Sequence, residues 1–155
     1  MRSRAFALGK VTMDESPRRV VCPARFEILS ADAPPSPVTC QLSYDSSDPF
    51  AVTAHFTLGE KSVAWTFARS LLRCGVYKPV GEGDIEIHPG LDDEGHATVY
   101  VELCSPHGSA MLRTRSAGII SFLQMTHQVV PVGEEPERID MDAMLSRLLH
   151  DDAAA

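Results

Sequence analysis

The chain has 155 residues, 44% of them hydrophobic, which suffices for one domain with a proper core and is short for two. Its formal net charge of −7, from 14 basic and 21 acidic residues, repels phosphate backbones unless a local basic stripe overrides the mean. The basic clusters, Arg18-Arg19 and Arg113 with Arg115, are small, so nucleic acid is disfavoured, and no apolar run approaches the roughly 20 residues of a membrane-spanning helix.

Residues 1–16 are polar and aperiodic and read as a mobile arm; the apolar stretch after Arg2 and Arg4 is too short for a signal-peptide core. A first strand is expected at 20–29, with Pro23 demanding an edge position or a bulge. Pro34, Pro35 and Pro37 cannot donate to a ladder, so 30–37 reads as a loop. A second strand follows at 39–44, then a turn in which Asp45 and Asp48 supply side-chain caps. Phe50, Val52, Ala54, Phe56 and Leu58 alternate with Thr53, His55 and Thr57, the clearest half-buried strand of the chain. Gly59-Glu60-Lys61 turns tightly into another strand at 63–67, which makes the two antiparallel.

Residues 68–74 read as two helical turns with Gly75 as a left-handed cap. Gly81-Glu82-Gly83 is a turn before a short strand at 84–88, and 91–95 is an acidic turn. Further strands are expected at 97–104 and 109–113. A helix at 116–126 gathers Ile119, Ile120, Phe122 and Leu123 on one side, and a last helix at 138–150 carries Met141, Met144, Leu145, Leu148 and Leu149 as an apolar stripe. About seven strands, a short middle helix and C-terminal helices argue for an α+β fold with antiparallel sheet. The expected organisation is an N-terminal arm (1–16), one domain (17–150) and a disordered tail (151–155), without an internal repeat.

The candidate chemistry is thin. Cys22, Cys40, Cys74 and Cys104 form no CxxC pair and read as reduced thiols, which places the chain in the cytoplasm. None of the six histidines stands at metal-ligand spacing, so no metal is expected. In Gly81-Glu82-Gly83-Asp84 an acid sits between the glycines and a strand follows, so it is no phosphate cradle, and no cofactor is expected. Ser70, Ser105 and Ser121 lack a nucleophile-elbow context, and carboxylates at a helix start complement its dipole without catalysing anything. Trp65 and Phe67 share one strand face; they read as core before they read as a stacking platform for bases, because Lys61 and Arg69 alone flank them. Gly118, inside a helix, costs about 1 kcal/mol relative to Ala and invites a reason, either close packing or a partner contact.

The order of landmarks carries more. Tyr44-Asp45, Asp48-Pro49-Phe50-Ala51-Val52, Val63 through Arg69, Leu71-Leu72, Pro79 through Asp84, Leu103 through Gly108, Ser121 through Thr126, Val130 through Glu134 and Asp140-Met141-Asp142 form an ordered set. This set resembles the SsgA-like proteins, actinomycete regulators of sporulation and cell division. The likeness runs from about Leu42 to Leu149. It implies a Whirly-like antiparallel architecture, assembly as a homotrimer, and a non-catalytic role in septum-site selection through protein–protein interaction. It further implies recruitment or positioning of the division protein FtsZ or its recruiters, and concentration at division septa without membrane insertion. The alternative is a single-stranded nucleic-acid binder on the same scaffold. Tyr44, Asp45, Asp48, Pro49, Trp65, Phe67, Arg69, Leu72, Gly81, Gly83 and Asp84 match the family pattern. Arg69, Gly118 and Trp65 are the residues expected to meet a partner. Ser70, Phe50 and Met125 depart from the pattern, and the N-terminal arm is longer than in the family.

Overall fold

A computed structural model of the chain describes residues 18–138 and 148–149. Among these, the order ββββα occurs twice. The first pass is β1 (Arg19–Ser30), β2 (Ala33–Asp45), β3 (Ala51–Leu58), β4 (Lys61–Ala68) and α1 (Arg69–Gly75). The second is β5 (Val80–Glu82), β6 (Ile85–Leu91), β7 (Ala97–Ser105), β8 (Gly108–Arg115) and α2 (Ser116–Val129), followed by a 3-10 turn at Glu135–Arg138. The two strand-to-helix junctions are conformationally alike: Ala68 has φ −67° and ψ 135°, Arg115 φ −63° and ψ 136°, and neither caps its helix with a side chain.

All strand neighbours are antiparallel, in one sheet ordered β4-β3-β2-β1-β8-β7-β6-β5. Two four-stranded meanders thus meet where β1 joins β8, through only Glu27–Arg113, Ile28–Leu112 and Leu29–Met111. Side chains widen that narrow seam. Arg113 Nε donates to the Glu27 carboxylate at 2.8 Å, and Thr114 Oγ1 donates to the Arg25 carbonyl at 2.7 Å. Helix α2 lies across β1, β7 and β8 and so spans the seam, while α1 packs on β4, β5 and β6. Phe26, Leu42, Val52, Ile87, Val99, Leu112, Ile119 and Phe122 belong to one buried cluster fed by both meanders and both helices.

The α+β class and the antiparallel sheet agree with the sequence, but the described strands number eight, not about seven. The additional one is β5, three residues long, which pairs with β6 around a tight turn whose Gly83 has φ 63°. The expected loop at 30–37 is mostly strand. Ala33, Ser36 and Pro37 pair with β1, whereas β2 meets β3 only from Thr39 onward, so Pro34, Pro35 and Pro37 lie where the strand has a partner on one flank. Pro23 likewise sits where β1 has β2 as its one neighbour. The helix expected at 138–150 falls almost entirely outside the described residues, and the arm at 1–16 lies wholly outside them.

Gly75 is not the left-handed cap read from the sequence. It lies within α1, and the residue after it, Val76, is right-handed with φ −66°. Its role is contact: a Cβ there would overlap the side chain of Ile87, which is fully buried. Gly75→Ala should therefore destabilise the fold by about 1–3 kcal/mol through overpacking, read as a lower midpoint in urea denaturation. An unchanged midpoint would show that α1 does not need this approach to β6.

Candidate functional site

The most demanding side chain in the structure is Arg69, the first residue of α1, which is 2% exposed. A guanidinium out of water requires partners for its donors. Nη1 donates to the carbonyl of Val130 at 2.8 Å, the carbonyl of Thr126 at 3.2 Å and Thr126 Oγ1 at 3.4 Å. Nη2 makes an ion pair with Glu135 at 2.8 Å. The guanidinium carbon lies 4.8 Å from the centroid of the Tyr44 ring, within cation–π range. Tyr44 in turn donates its hydroxyl to the Pro49 carbonyl at 2.8 Å, and the Arg69 amide donates to the Phe50 carbonyl at 2.7 Å.

This cluster ties five parts of the chain together: β2, the 45–50 turn, the start of α1, the end of α2 and the loop leading to Glu135. It also answers a local need. The last carbonyls of a helix have no intrahelical partner, and a cation there complements the dipole. Helix α2 ends on Arg69. The Glu135 carboxyl is held below the usual glutamate range, first by its hydrogen bond from Arg69. Arg69, expected from the sequence to meet a partner, is thus buried with both terminal nitrogens engaged within the chain.

Trp65 and Gly118 stand elsewhere. Register puts Phe67, Trp65 and Val63 of β4 opposite Val52, Ala54 and Phe56 of β3, on the face that meets the core. Phe67 and Trp65 are half-buried against that core, while Val63 and Leu58 are about half exposed at the far end of the hairpin. Among the described residues β4 is an outer strand of the sheet, so this end is an apolar edge. Of the two cations beside Trp65, Arg69 is committed to Glu135, which leaves Lys61 as the exposed one. Gly118 lies in the first turn of α2, and a Cβ there would meet nothing within 4 Å. Close packing does not explain that glycine.

A charged group that sequence spacing did not flag lies on the β6–β7 turn. Asp92, Glu94 and His96 bring ligand-type atoms within 4.8 Å of one another. The donor set does not fit a metal. Asp92 Oδ1 accepts the amides of Glu94 and His96 at 2.9 Å each, and Arg115 lies against Asp92 at 3.3 Å and Glu94 at 3.8 Å. The Asp92 carboxyl is lowered to about 2, chiefly by the His96 amide. The turn is capped and neutralised by its own neighbours. It rims an open cleft of about 1110 Å³ beside the seam, where Arg113 is already paired with Glu27 and with Asp93.

Burial pushes the Cys40 thiol up to about 12, and all four cysteines are unpaired, which suits a thiol used for packing. Among the described residues no helix is long and apolar enough to cross a membrane. Sequence reasoning missed Thr126 and Glu135 as Arg69's partners. The usable signal was Arg69 itself, a lone cation entering a helix straight from an apolar strand.

Comparison with known proteins bears on most of the chain. A family model described as Streptomyces sporulation and cell division protein, SsgA, matches residues 38–135. The sporulation-specific cell division protein SsgB of Thermobifida fusca is 35% identical over 138 residues, covering 88% of this chain and 99% of that one. SsgB of Streptomyces coelicolor is 37% identical over 131 residues, covering 84% and 95%. The crystal structure of an SsgA-like sporulation-specific cell division protein from T. fusca superposes with a TM-score of 0.77 at 34% identity, covering 85% of this chain and 96% of the other. A structure of SsgB, from work correlating its mutations with longitudinal cell division during sporulation of S. coelicolor, gives 0.75 at 36%, covering 79% and 96%.

Two outcomes are expected of the Arg69 cluster. Arg69→Met strands Glu135 and the α2 carbonyls, and should cost about 3–5 kcal/mol in urea denaturation, with Arg69→Lys in between because it keeps charge but loses the fork. A loss below about 1 kcal/mol would remove the clamp as a stabilising element. The Glu135 carboxyl titrates lower in the fold than in the unfolded chain. Its contribution is therefore present above the ordinary glutamate value, about 4.3, and is lost as pH falls through the depressed one. Glu135→Gln should flatten that acid limb, measured as the denaturation midpoint against pH; an unaltered limb would mean other carboxylates govern it.

Proposed function

The chain belongs to the SsgA family of sporulation and cell-division proteins, and on that premise we propose that it is a non-catalytic regulator of sporulation-associated division. It acts in septum-site selection by binding other proteins, recruiting or positioning FtsZ or its recruiters, and concentrates at division septa. The observation that carries this reading is the likeness to sporulation-specific cell division proteins over 84–88% of the chain. The charged groups support the non-catalytic part. Arg69, Arg113 and Asp92 are each engaged in holding structure together.

Self-association into a homotrimer belongs to the proposal and has its own support. Leu58 and Val63 are 51% and 52% exposed, next to and on a strand that pairs on one side only among the described residues. Exposed apolar edges of this kind are normally covered, and a second protomer is the simplest cover. The twofold ββββα order supports a Whirly-like architecture. The nucleic-acid alternative loses its best cation, since Arg69 is buried and paired.

Deleting the gene should misplace or abolish sporulation septa, and the purified protein should scatter light as a salt-insensitive trimer that captures a division protein. Gly118→Ala separates surface from fold: open space around the site predicts a protein stabilised by about 0.5–1 kcal/mol. If that variant folds but fails to restore septation, the first turn of α2 contacts a partner. A strict monomer, with normal septa in the deletion strain, would overturn the proposal.

A further inference from the structure

One groove departs from the chain's acidic balance. It lies between the C-terminal end of α1 and α2, has a volume of about 400 Å³, and is lined by Arg73, Tyr77, Lys78, Ile120, Leu123 and His127 among others. Its size falls within the roughly 300–1,000 Å³ of ordinary binding pockets. The floor is apolar: Val76 and Leu123 are buried, and Ile120 packs half-buried beside them.

Three features of this groove agree with one another. Among the described residues no Asp or Glu lines it, although acids outnumber bases by 21 to 14 in the chain. Arg73 and Lys78 make no ion pair among the described residues, in contrast to Arg69, Arg113 and Arg115. Finally, His127 Nε2 is the one buried side-chain nitrogen or oxygen among the described residues that lacks a hydrogen-bond partner. Burial first, then the charges of Arg69 and Arg73, lower the His127 pKa, with Glu135 opposing them, so the ring is neutral near pH 7. A neutral buried imidazole nitrogen without a partner costs free energy that an incoming carbonyl or carboxylate would recover.

We propose that this groove binds a short acidic segment of a partner protein, with apolar side chains seated on Leu123 and Ile120 and carboxylates facing Arg73 and Lys78. A peptide suits the groove better than a nucleic acid, because two cations over an apolar floor make no phosphate-tracking stripe. Tyr77, 75% exposed at the rim, is the residue type that anchors protein partners. The inference rests on the proposed recruiting role and names the chemistry of what is recruited.

The test uses the full chain and three short fluorescent peptides: one alternating Glu with Leu and Phe, one with Lys for Glu, one with Ser for the apolar residues. The first should bind at least about tenfold tighter than the others and perturb the His127 ring signals in NMR, with affinity falling as salt rises. Arg73→Glu combined with Lys78→Glu should weaken it about tenfold or more without lowering Tm. Equal binding of the Lys peptide, an unaffected double variant, or perturbations confined to the cleft beside Arg113 would each overturn the proposal. So would tighter binding of a peptide spanning residues 139–155 of this chain. Binding is read on purified protein and septation in cells, so failure of the groove and failure of the division role are told apart.

Discussion

A single buried cation constrains this fold more than any other group. Moving a guanidinium out of water costs several kcal/mol unless its charge is matched and its donors are satisfied. Arg69 meets that demand with one carboxylate, two helix-terminal carbonyls, a hydroxyl and an aromatic face. These partners come from three stretches of chain, β2, the end of α2 and the loop to Glu135, so none can shift without stranding the charge. The entry of α1, the end of α2 and the loop to Glu135 are therefore set together. That the Arg69 amide also binds the Phe50 carbonyl means the same residue fixes the turn into β3.

The clamp matters because the two halves of the sheet join along a narrow seam. Three residue pairs connect β1 to β8, against eight between β3 and β4. The ladder alone would let one meander swing on the other. The Glu27–Arg113 pair and the Thr114 bond to Arg25 extend the seam sideways, and α2 bridges it from the core. Arg69 holds the far end of that bridging helix against the first meander through Tyr44. The seam, α2 and the clamp thus form one chain of support, with β4 and β5 as the outer strands among the described residues.

Much of this could be read in the sequence, and the misreadings have physical causes. Period-two alternation from Val52 to Phe56 gave a correct strand face because one side of β3 is buried and the other is not. Three prolines suggested a loop, since proline removes a ladder donor; the structure places them where β2 has one neighbour, which only topology reveals. Gly75 looked like a cap because it ends a short helix, while its real constraint is Ile87, twelve residues on and in another strand. Arg69 was expected to meet a partner, from the family resemblance. Burial of a charge depends on partners as distant as Glu135, 66 residues away, which no local pattern encodes.

The same contrast indicates where specificity resides. Residues that match the pattern of the SsgA family are largely consumed by the fold: Tyr44, Arg69 and Leu72 are buried, and Asp45 accepts the Ser47 amide and hydroxyl within its turn. Positions that depart from the pattern face outward, with Phe50 at 48% exposure, Met125 at 37%, and Ser70 exposed on α1. A substitution inside the clamp would strand a buried charge; one on the surface costs little stability and alters what the surface can bind. These three departures therefore lie where a change costs the scaffold little. A member with a different partner would be expected to keep Arg69 and Tyr44 unchanged and to vary the exposed faces of α1 and α2.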